Sequence, residues 1–313
     1  MLNIRFRFRA MLGALLLSGA LTAKSVFAAA CCAGSGAAPS IISGDDVAQI
    51  SLSGARGTII GDAPAQGIPV FRNGTYSSTT NTYLLSGALL VSDLWQVGTS
   101  IPVITNDSGT QGQSTGLGDI RINGTYEILP EWTYSYWKPK GFLFMQFTSP
   151  TGHSIADSDT PAAVDSLGKG IFATGIGGFF VKRWSTWDVY TITEIHYGFS
   201  RTFQLSTGNS RTLGSGLGGS CSIGVGVSPG AGNFRIGLRI QPLYESPRIN
   251  SDSGVPSQIS YQLSWNTALE ASYLIDTAWA INASYTDQTL LGPAVNTTLS
   301  RTFALGLQHR WTR

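Results

Sequence analysis

Apolar and polar residues alternate with a period of two along most of the chain from about residue 46 onward. Between residues 258 and 266, for example, every second residue is Ile, Tyr, Leu or Trp, and the residues between them are Gln, Ser or Asn. Successive side chains of a β-strand point to opposite faces, whereas one face of a helix repeats every 3.6 residues. The pattern therefore predicts strands with one apolar face. It recurs at 119–128, 187–200 and 234–241.

Residues typical of turns divide this region into roughly twelve predicted strands of about 10 to 17 residues. Strands in soluble sheets are usually about 5 to 6 residues long, whereas tilted strands need about 9 to 11 residues to cross a bilayer. The predicted lengths therefore favour membrane-crossing strands. Their bounds are 46–59, 78–92, 94–104, 117–129, 139–149, 169–184, 186–202, 214–228, 231–247, 256–274, 276–289 and 297–312.

The links between these strands alternate between long and short. Tight links separate the long ones, except for a link of intermediate length at 130–138. Bacterial outer-membrane barrels show this pattern, with long loops outside and short turns in the periplasm. The sequence thus predicts an all-β fold over residues 46–313, a transmembrane antiparallel up-and-down β-barrel of about twelve strands. The long polar links lie at 60–77, 105–116, 150–168, 203–213, 247–255 and 290–296.

A secreted β-sandwich or a soluble barrel is the structural alternative. Its outward face would be polar and would normally carry more Lys and Glu than this chain has. Only 12% of the residues are charged, against about 25% in typical soluble domains, and the formal net charge is +2. So weak a net charge predicts no nucleic-acid partner. After the first thirty residues no apolar run approaches about 18 residues, which excludes a helical membrane protein.

The first thirty residues have the zones of a secretory signal peptide. Three arginines lie within the first nine residues, an apolar run covers 11–23, and small residues crowd together at 25–30. The apolar run is too short to cross a bilayer as a helix. Residues 1–30 are therefore predicted to be a signal peptide, with two cleavage sites that fit equally well. Residues 31–45 are predicted to be an N-terminal periplasmic segment.

The chain contains three cysteines, Cys31, Cys32 and Cys221. If cleavage follows Ala30, Cys31 becomes the mature N-terminus and a candidate for lipid modification. Ala28 stands where lipoprotein signals usually carry a large aliphatic residue, which favours the alternative of unmodified thiols or one fortuitous bridge. The cysteine spacing does not fit a zinc site, so neither a metal nor a cofactor is expected.

An enzymatic barrel would need a nucleophile, a base within hydrogen-bonding distance and a third group that orients the base. His153 and Ser154 are neighbours in the sequence, with Asp157 nearby. In an extended segment, however, the side chains of His153 and Ser154 would point to opposite faces. The chain is therefore not expected to be an enzyme.

Three short segments resemble the outer-membrane transporter family of the phenol meta-degradation pathway. They are Val-Ser-Asp-Leu-Trp-Gln-Val-Gly-Thr-Ser-Ile-Pro-Val at 91–103, Thr-Gly-Leu-Gly-Asp-Ile at 115–120 and Phe-Thr-Ser-Pro-Thr-Gly at 147–152. In that family a strand-turn-strand ending in Pro precedes a Gly-Leu-Gly-Asp strand, and Pro-Thr-Gly closes a later strand. Order and approximate spacing agree over about 80–155. The resemblance implies an outer-membrane barrel with a transport role, whereas phenolic substrates do not follow from these residues.

If the apolar face of each strand meets lipid, the other face lines the lumen. By this parity the lumen holds charges of both signs, at Asp119, Arg121, Glu127, Glu194, His196, Arg235, Arg239, Glu270 and Arg310. Such charges could form a constriction that selects solutes by size and charge, or they could pair and fill the interior. The residues predicted to line a solute path are Arg121, Glu194, His196, Arg235, Arg239 and Glu270, with Arg235 and Arg239 as the central pair.

The predicted function is passive transport of small solutes, including hydrophobic or aromatic ones, across the bacterial outer membrane. The alternative is a structural or surface-binding barrel with a closed lumen, whose loops 60–77 and 150–168 form the contact surface. The expected partners are outer-membrane lipid, a small-molecule solute and the barrel assembly machinery. The last strand, 302–311, resembles the C-terminal assembly signal of such proteins, although Thr312 and Arg313 follow its final Trp311. Most of the eight tryptophans lie near predicted strand ends, which predicts aromatic girdles at both lipid interfaces.

Overall fold

The computed structural model describes residues 39–65, 68–72, 78–158, 160, 163–205, 208–229 and 233–312. The predicted signal peptide at 1–30 and the candidate lipidation site at Cys31 lie outside these residues. Within them, no helix is long and apolar enough to span a membrane.

Twelve long antiparallel strands form the wall of a closed barrel in the described part of the chain. Consecutive wall strands pair with one another, and the last pairs with the first, from Asp46 opposite Thr312 to Ala63 opposite Thr297. The predicted up-and-down β-barrel is therefore confirmed. In chain order the wall strands are β1 (Asp46–Ala63), β2 (Ser78–Leu90), β3 (Trp95–Asp107), β4 (Ile120–Leu129), β5 (Lys140–Ser149), β6 (Ala173–Arg183), β7 (Trp187–Gly198), β8 (Gly216–Val227), β9 (Phe234–Glu245), β10 (Gln262–Leu274), β11 (Trp279–Asp287) and β12 (Thr297–Thr312).

The two ends of the barrel differ. One end carries the long links and is called the loop end here, and the other, the turn end, carries the tight links and the ends of β1 and β12 at Asp46 and Thr312. Two short strands extend the wall at the loop end, Val70–Phe71 beside β1 and Gln113–Leu117 beside β3.

A separate four-stranded sheet stands at the loop end, where the sequence predicted loops at 203–213 and 247–255. One of its hairpins turns through Ser253 and Gly254, whose φ angles of 50° and 83° suit a two-residue type I′ turn. The predicted strands 186–202 and 256–274 were wrong in their length, because each alternation runs past the rim of the barrel into this sheet. Its strands are Arg201–Gln204, Ser210–Leu213, Arg248–Asp252 and Val255–Ile259.

The barrel is apolar on its outer face and polar on its inner face. Outward side chains such as Leu52, Met145 and Leu238 are 59%, 62% and 56% exposed, whereas the inward side chains of Gln96 and Thr125 are 2% and 0% exposed. A water-soluble protein buries its large apolar side chains and exposes its polar ones. The outer face is therefore built to contact an apolar solvent, as the alternation predicted.

Aromatic side chains gather at both ends of this outer face. At the turn end, the rings of Trp184 and Trp187 stack with centroids 3.8 Å apart, and the His309 ring lies 4.5 Å from Trp279 and 4.3 Å from Trp311. Two rows of aromatic residues separated by an apolar belt are typical of a membrane barrel. At the loop end the exposed aromatic residues include Tyr83, Phe147, Phe172, Tyr197, Tyr244, Tyr261 and Phe303.

Candidate functional site in the barrel lumen

The charged residues selected from the sequence face the lumen in two separate groups. Because neighbouring strands run in opposite directions, Arg121 at the start of β4 and Glu194 and His196 near the end of β7 come together in the loop-end half. Arg235 and Arg239 lie in the first half of β9 and therefore reach the turn-end half with Glu270 of β10. The six predicted path residues thus form two clusters rather than one.

The turn-end cluster is a compact network of ion pairs. Arg235 donates two hydrogen bonds of 2.7 Å to the carboxylate of Asp188, and Arg239 Nε donates one of 2.8 Å to Glu270 Oε1. Arg235 Nη1 lies 3.6 Å from Glu270 Oε2, which also accepts a 2.9 Å hydrogen bond from the hydroxyl of Tyr190. Each charge in this part of the lumen therefore has an opposite charge beside it.

Amides continue this network along the inner wall. Arg239 Nη1 donates to Gln241 Oε1 at 3.0 Å, and the amide of Asn266 donates to the same oxygen at 3.3 Å. Gln288 donates to Asn266 Oδ1 at 2.9 Å and accepts from the backbone N–H and hydroxyl of Ser300. A polar ladder thus runs from the turn-end cluster towards the loop end.

Inward aromatic side chains fill another part of the turn-end half. Phe142 and Phe144 of β5 are buried, and the ring of Phe142 stacks on that of Phe179 with centroids 5.7 Å apart. Val181 of β6, opposite Lys140, is also buried. These apolar groups occupy volume that would otherwise be open lumen.

The segment before β1 lies inside the barrel. The backbone N–H of Ile42 donates a 2.6 Å hydrogen bond to Gln96 Oε1, and the Gln96 amide donates to the Ile42 carbonyl at 3.3 Å. The Asn123 amide donates to the carbonyl of Ser40 at 3.2 Å. Residues 39–45, predicted as part of a periplasmic segment, therefore pack against lumen-facing side chains.

Two physical features allow this position. Ile42 is buried, so the segment removes an apolar side chain from water. A Cβ atom at Gly98 of β3 would lie 2.4 Å from the Ser40 carbonyl oxygen, so only glycine leaves room for the segment there. No sequence signal for this packing was recognised, because residues 39–45 show neither strand alternation nor helical spacing.

The link between β5 and β6 also folds into the barrel, and its described residues, 150–158, 160 and 163–172, are called the inner loop here. The carboxylate of Asp119 accepts hydrogen bonds from the backbone N–H groups of Gly152, Lys169 and Gly170, at 3.0, 2.7 and 3.3 Å. The sequence predicted Asp119 as a lumen charge, and the structure places it as the anchor of a loop.

Further contacts fix the inner loop against the wall. Asn106 of β3 donates to the carbonyls of Ser166 at 2.7 Å and Val164 at 3.2 Å. Leu167 and Ile171 of the loop are buried. The link at 150–168, predicted as an exposed polar loop, therefore largely lines the inside of the lumen, because its apolar side chains are buried there.

The segments that carry the family resemblance meet at this anchor. The Thr151 hydroxyl donates to the Gly118 carbonyl at 2.6 Å and accepts from the backbone N–H of Ile120 at 3.0 Å. Gly152 is the residue whose N–H contacts Asp119. The Gly-Leu-Gly-Asp and Pro-Thr-Gly motifs thus form one structural unit that directs the inner loop into the lumen.

Glu245 is the centre of the loop-end charge cluster. Its carboxylate accepts hydrogen bonds from Lys169 Nζ of the inner loop, from Arg248 Nη2 at 2.8 Å, and lies 3.1 Å from His196 Nε2. His196 Nδ1 lies 3.6 Å from Glu194 Oε1. The sequence prediction missed Glu245 and Lys169 as site residues.

The missed residues differ in how well the sequence could have found them. Glu245 and Asp188 share the inward parity of Arg235 and Glu194 on their strands, so the alternation carried the signal. Lys169 was assigned to the predicted strand 169–184, but it lies in the link before β6, and only the three-dimensional fold of that link brings it to Glu245.

A cavity of about 220 Å³ lies in the loop-end half of the lumen. Its lining combines apolar side chains with the loop-end charge cluster, Asp119 and Arg121. A cavity with both kinds of lining residue can bind a small solute that has an apolar part and a polar or charged part. Its apolar lining includes Leu84, Pro102, Ile104, Leu167, Ile171 and Leu243.

The remaining predicted lumen charges pair near the turn end. Glu127 lies 3.4 Å from Lys140 Nζ, and Arg310 Nη1 lies 3.9 Å from Asp46 Oδ2. Both pairs lie at the mouth of the barrel rather than at the cavity.

Ionisation of Asp165 stabilises the inner loop. Burial alone would raise the pKa of Asp165, but hydrogen bonds from the hydroxyls of Ser158 and Thr160 outweigh burial and lower the pKa. His153 Nδ1 lies 3.9 Å from Asp165 Oδ2 and 3.4 Å from Asp157 Oδ1. These groups therefore favour the charged form of Asp165 within the loop.

Neither the candidate nucleophile Ser154 nor Ser114 has the geometry of a catalytic serine. The Ser154 hydroxyl donates to the Lys169 carbonyl at 2.9 Å. Ser114 has the Gly-x-Ser-x-Gly spacing of a nucleophile elbow, but it lies in the strand Gln113–Leu117, opposite Asn106 of β3. A nucleophile elbow joins a strand to a helix, so this segment does not have that geometry.

Comparison with known proteins shows that the chain is similar in fold to solved structures. No family model matches the chain, and no curated protein matches it. An outer membrane channel from Pseudomonas putida F1 superimposes with a TM-score of 0.66 at 12% identity, over 88% of this chain and 99% of that chain. The transport unit of the autotransporter AIDA-I from Escherichia coli gives a TM-score of 0.49 at 11% identity, over 86% and 92%. The chain is thus similar in fold to an outer-membrane channel barrel, and membership of the phenol meta-degradation family is not shown.

Proposed function

We propose that the protein is a bacterial outer-membrane channel through which small solutes pass passively, including solutes with apolar or aromatic parts. The observation that carries this proposal is the loop-end cavity, which is lined by both apolar and charged side chains. A purely structural barrel would not need a cavity with such a lining. The P. putida protein of similar fold is named an outer membrane channel, which supports the same role for this chain.

The apolar outer belt and its two rows of aromatic residues support a position in a lipid bilayer. By the rule for bacterial barrels, the loop end faces the exterior and the turn end faces the periplasm. Residues 1–30 act as the export signal in this proposal, and the barrel assembly machinery inserts the chain. Membership of the phenol meta-degradation transporter family is part of the proposal, supported by the joined motifs at Asp119 and Thr151.

A solute would enter at the loop end, bind in the cavity and continue past the turn-end cluster. Residues 39–45 stand in the lower part of this route, held by a small number of hydrogen bonds to side chains such as Gln96 and Asn123. Passage therefore requires that this segment move aside. Arg235 and Arg239 would then line the route together with their partners Asp188 and Glu270, so that the charge on the route is balanced.

Single-channel conductance of the refolded protein in planar bilayers tests the proposal. We expect discrete conductance steps in the wild-type protein. In R235A/R239A we expect larger steps and a shift towards cation selectivity, because Asp188 and Glu270 then lose their positive partners. R211A is the matched control, since Arg211 pairs with Asp252 in the sheet outside the barrel. A protein that inserts and shows heat-modifiable migration but never conducts, even after deletion of residues 39–45, would contradict the proposal.

The second candidate is the barrel with a closed lumen that acts as a structural or surface-binding protein. The filled turn-end half favours it, since Phe142, Phe144 and residues 39–45 occupy that region. The same conductance measurement separates the two functions, because a closed barrel remains silent when residues 39–45 are deleted.

A further inference from the structure

A small basic patch lies on the outer face of the barrel at the loop end, where β1 and β12 meet. Arg56 of β1 stands opposite Phe303 of β12 on one side and opposite Asn81 of β2 on the other. Arg301 lies two residues before Phe303 in β12 and on the same outer face. Arg56 and Arg301 are therefore diagonal neighbours. Diagonal residues of an antiparallel pair are roughly 7–8 Å apart, within reach of one shared ligand.

Both arginines point away from the lumen. The outward residues below them on the same two strands, Leu52 and Leu305, are exposed, as are Arg56 and Arg301 themselves. Arg235 and Arg239, by contrast, point inward to their carboxylates. The basic patch therefore belongs to the surface that meets lipid.

The patch marks the upper border of the apolar belt. Outward residues nearer the turn end are apolar or aromatic, such as Leu305 and Tyr83, whereas those level with Arg301 are Thr58 and Asp287. A charged side chain in the hydrocarbon region is costly, but at its border an arginine reaches the headgroups. The change from apolar to polar residues thus places both guanidinium groups at headgroup depth.

The arrangement of charges favours an anion. Arg301 Nε donates a 2.9 Å hydrogen bond to Asp287 Oδ2, and Asp287 is itself held by the N–H and hydroxyl of Thr289. This contact fixes Arg301 while half of its side chain remains exposed. Among the described residues, Arg56 has no ion-pair partner. Its guanidinium can therefore form a bidentate contact with a phosphate, a geometry that lysine cannot offer.

We infer that Arg56 and Arg301, with Asn81 beside them, bind a phosphate group of the lipopolysaccharide headgroup in the outer leaflet. The loop end faces the exterior in a bacterial barrel. The lipid of that leaflet is a phosphorylated glucosamine lipid, so its headgroup is anionic. This inference depends on the membrane position of the barrel and not on solute passage. A failure to observe conductance would therefore not contradict it.

Binding of purified lipid A to the refolded protein in detergent micelles tests the inference. We expect wild-type protein to retain lipid A, and R56Q/R301Q to bind it at least about tenfold more weakly, which corresponds to about 1.4 kcal/mol. R211Q is the matched control, because Arg211 is an exposed arginine at the same end but outside the barrel wall. Heat-modifiable migration of each variant verifies that it is folded. If the double variant does not fold, R56Q and R56K replace it, and R56K should bind more tightly than R56Q.

Three further arms identify the ligand. Lipid A without phosphates and phosphatidylglycerol should both bind more weakly than lipid A, and inorganic phosphate should not compete. Equal binding of lipid A by wild type and R56Q/R301Q would overturn the inference. If wild-type protein binds phosphate-free lipid A as tightly as lipid A, or if inorganic phosphate fully displaces lipid A, the assignment to a lipid phosphate is overturned.

Discussion

One carboxylate, that of Asp119, determines the course of a long loop through the lumen. An ionised carboxylate can accept about four hydrogen bonds, and Asp119 accepts three from backbone N–H groups of the inner loop. Backbone donors in a lumen-facing loop would otherwise lack strand partners. A single side chain therefore replaces part of the hydrogen bonding that a strand would supply.

Replacing Asp119 should release the inner loop. In D119A the three N–H groups lose their acceptor, which should weaken docking of the loop by roughly 2–4 kcal/mol. We expect trypsin to cleave after Lys169 at least about tenfold faster than in wild type, because that bond leaves the lumen. D107A is the control, since Asp107 accepts one 2.8 Å hydrogen bond from Gly109 in an exposed link. Equal resistance of D119A and wild type to trypsin would show that the other contacts are sufficient to hold the inner loop in the lumen.

The inward direction of single residues could be predicted from the sequence, but their partners could not. Period-two alternation decides on which face Asp119, Glu194 or Arg235 lies, because the backbone of a strand imposes it. Partners such as Lys169 come from links, whose path depends on contacts far away in the sequence. The solute-path roles of the predicted residues stay predictions until conductance is measured.

Among the larger elements, the wall strands were predicted well because each combines length with regular alternation. The links were predicted less well. The inner loop and residues 39–45 were expected outside the lumen and lie within it, where Leu167 and Ile42 are buried. Short apolar contacts of this kind leave no periodic signal in a sequence.

The structure of the inner loop should become less stable at low pH, because Asp165 becomes protonated. The folded pKa of Asp165 lies below its ordinary value of about 3.8, so its stabilising effect is complete above that pH and is lost as the pH falls through the lowered pKa. We expect amide hydrogen exchange in residues 153–168 to be faster in D165N than in wild type at pH 6. As the pH falls through the lowered pKa of Asp165, the two proteins should become more alike. A ratio of exchange rates that stays the same between pH 6 and acid pH would contradict this role of Asp165.

The whole molecule inverts the usual arrangement of a soluble protein, with polar residues inside and an apolar belt outside. This arrangement was predictable as soon as the alternation and the long strands were combined, since few charges are available for a solvent face. It also means that the same substitution should have different effects on the belt and on the sheet beyond it.

An arginine introduced in the middle of the belt should be costly. L52R places a charge at mid-depth of the outer face, and we expect it to lower the free energy of unfolding in lipid vesicles by about 2–4 kcal/mol. I249R is the matched control, because Ile249 is also exposed but lies in the four-stranded sheet outside the barrel. Its expected effect is within about 0.5 kcal/mol. Denaturant titration of both variants gives the comparison, and equal effects would mean that residue 52 does not face hydrocarbon.

The pairing of the first wall strand with the last has a consequence for the order of folding. Asp46 and Thr312 meet at the seam between β1 and β12, so the final contact joins residues from opposite ends of the chain. Contacts of such sequence separation form slowly, and this one cannot form before the C-terminal strand is available for pairing. Until then the edges of β1 and β11 both present unpaired N–H and C=O groups, which hydrocarbon cannot satisfy. A nascent chain lacking residues 297–312 should therefore remain an open, aggregation-prone sheet rather than a smaller barrel.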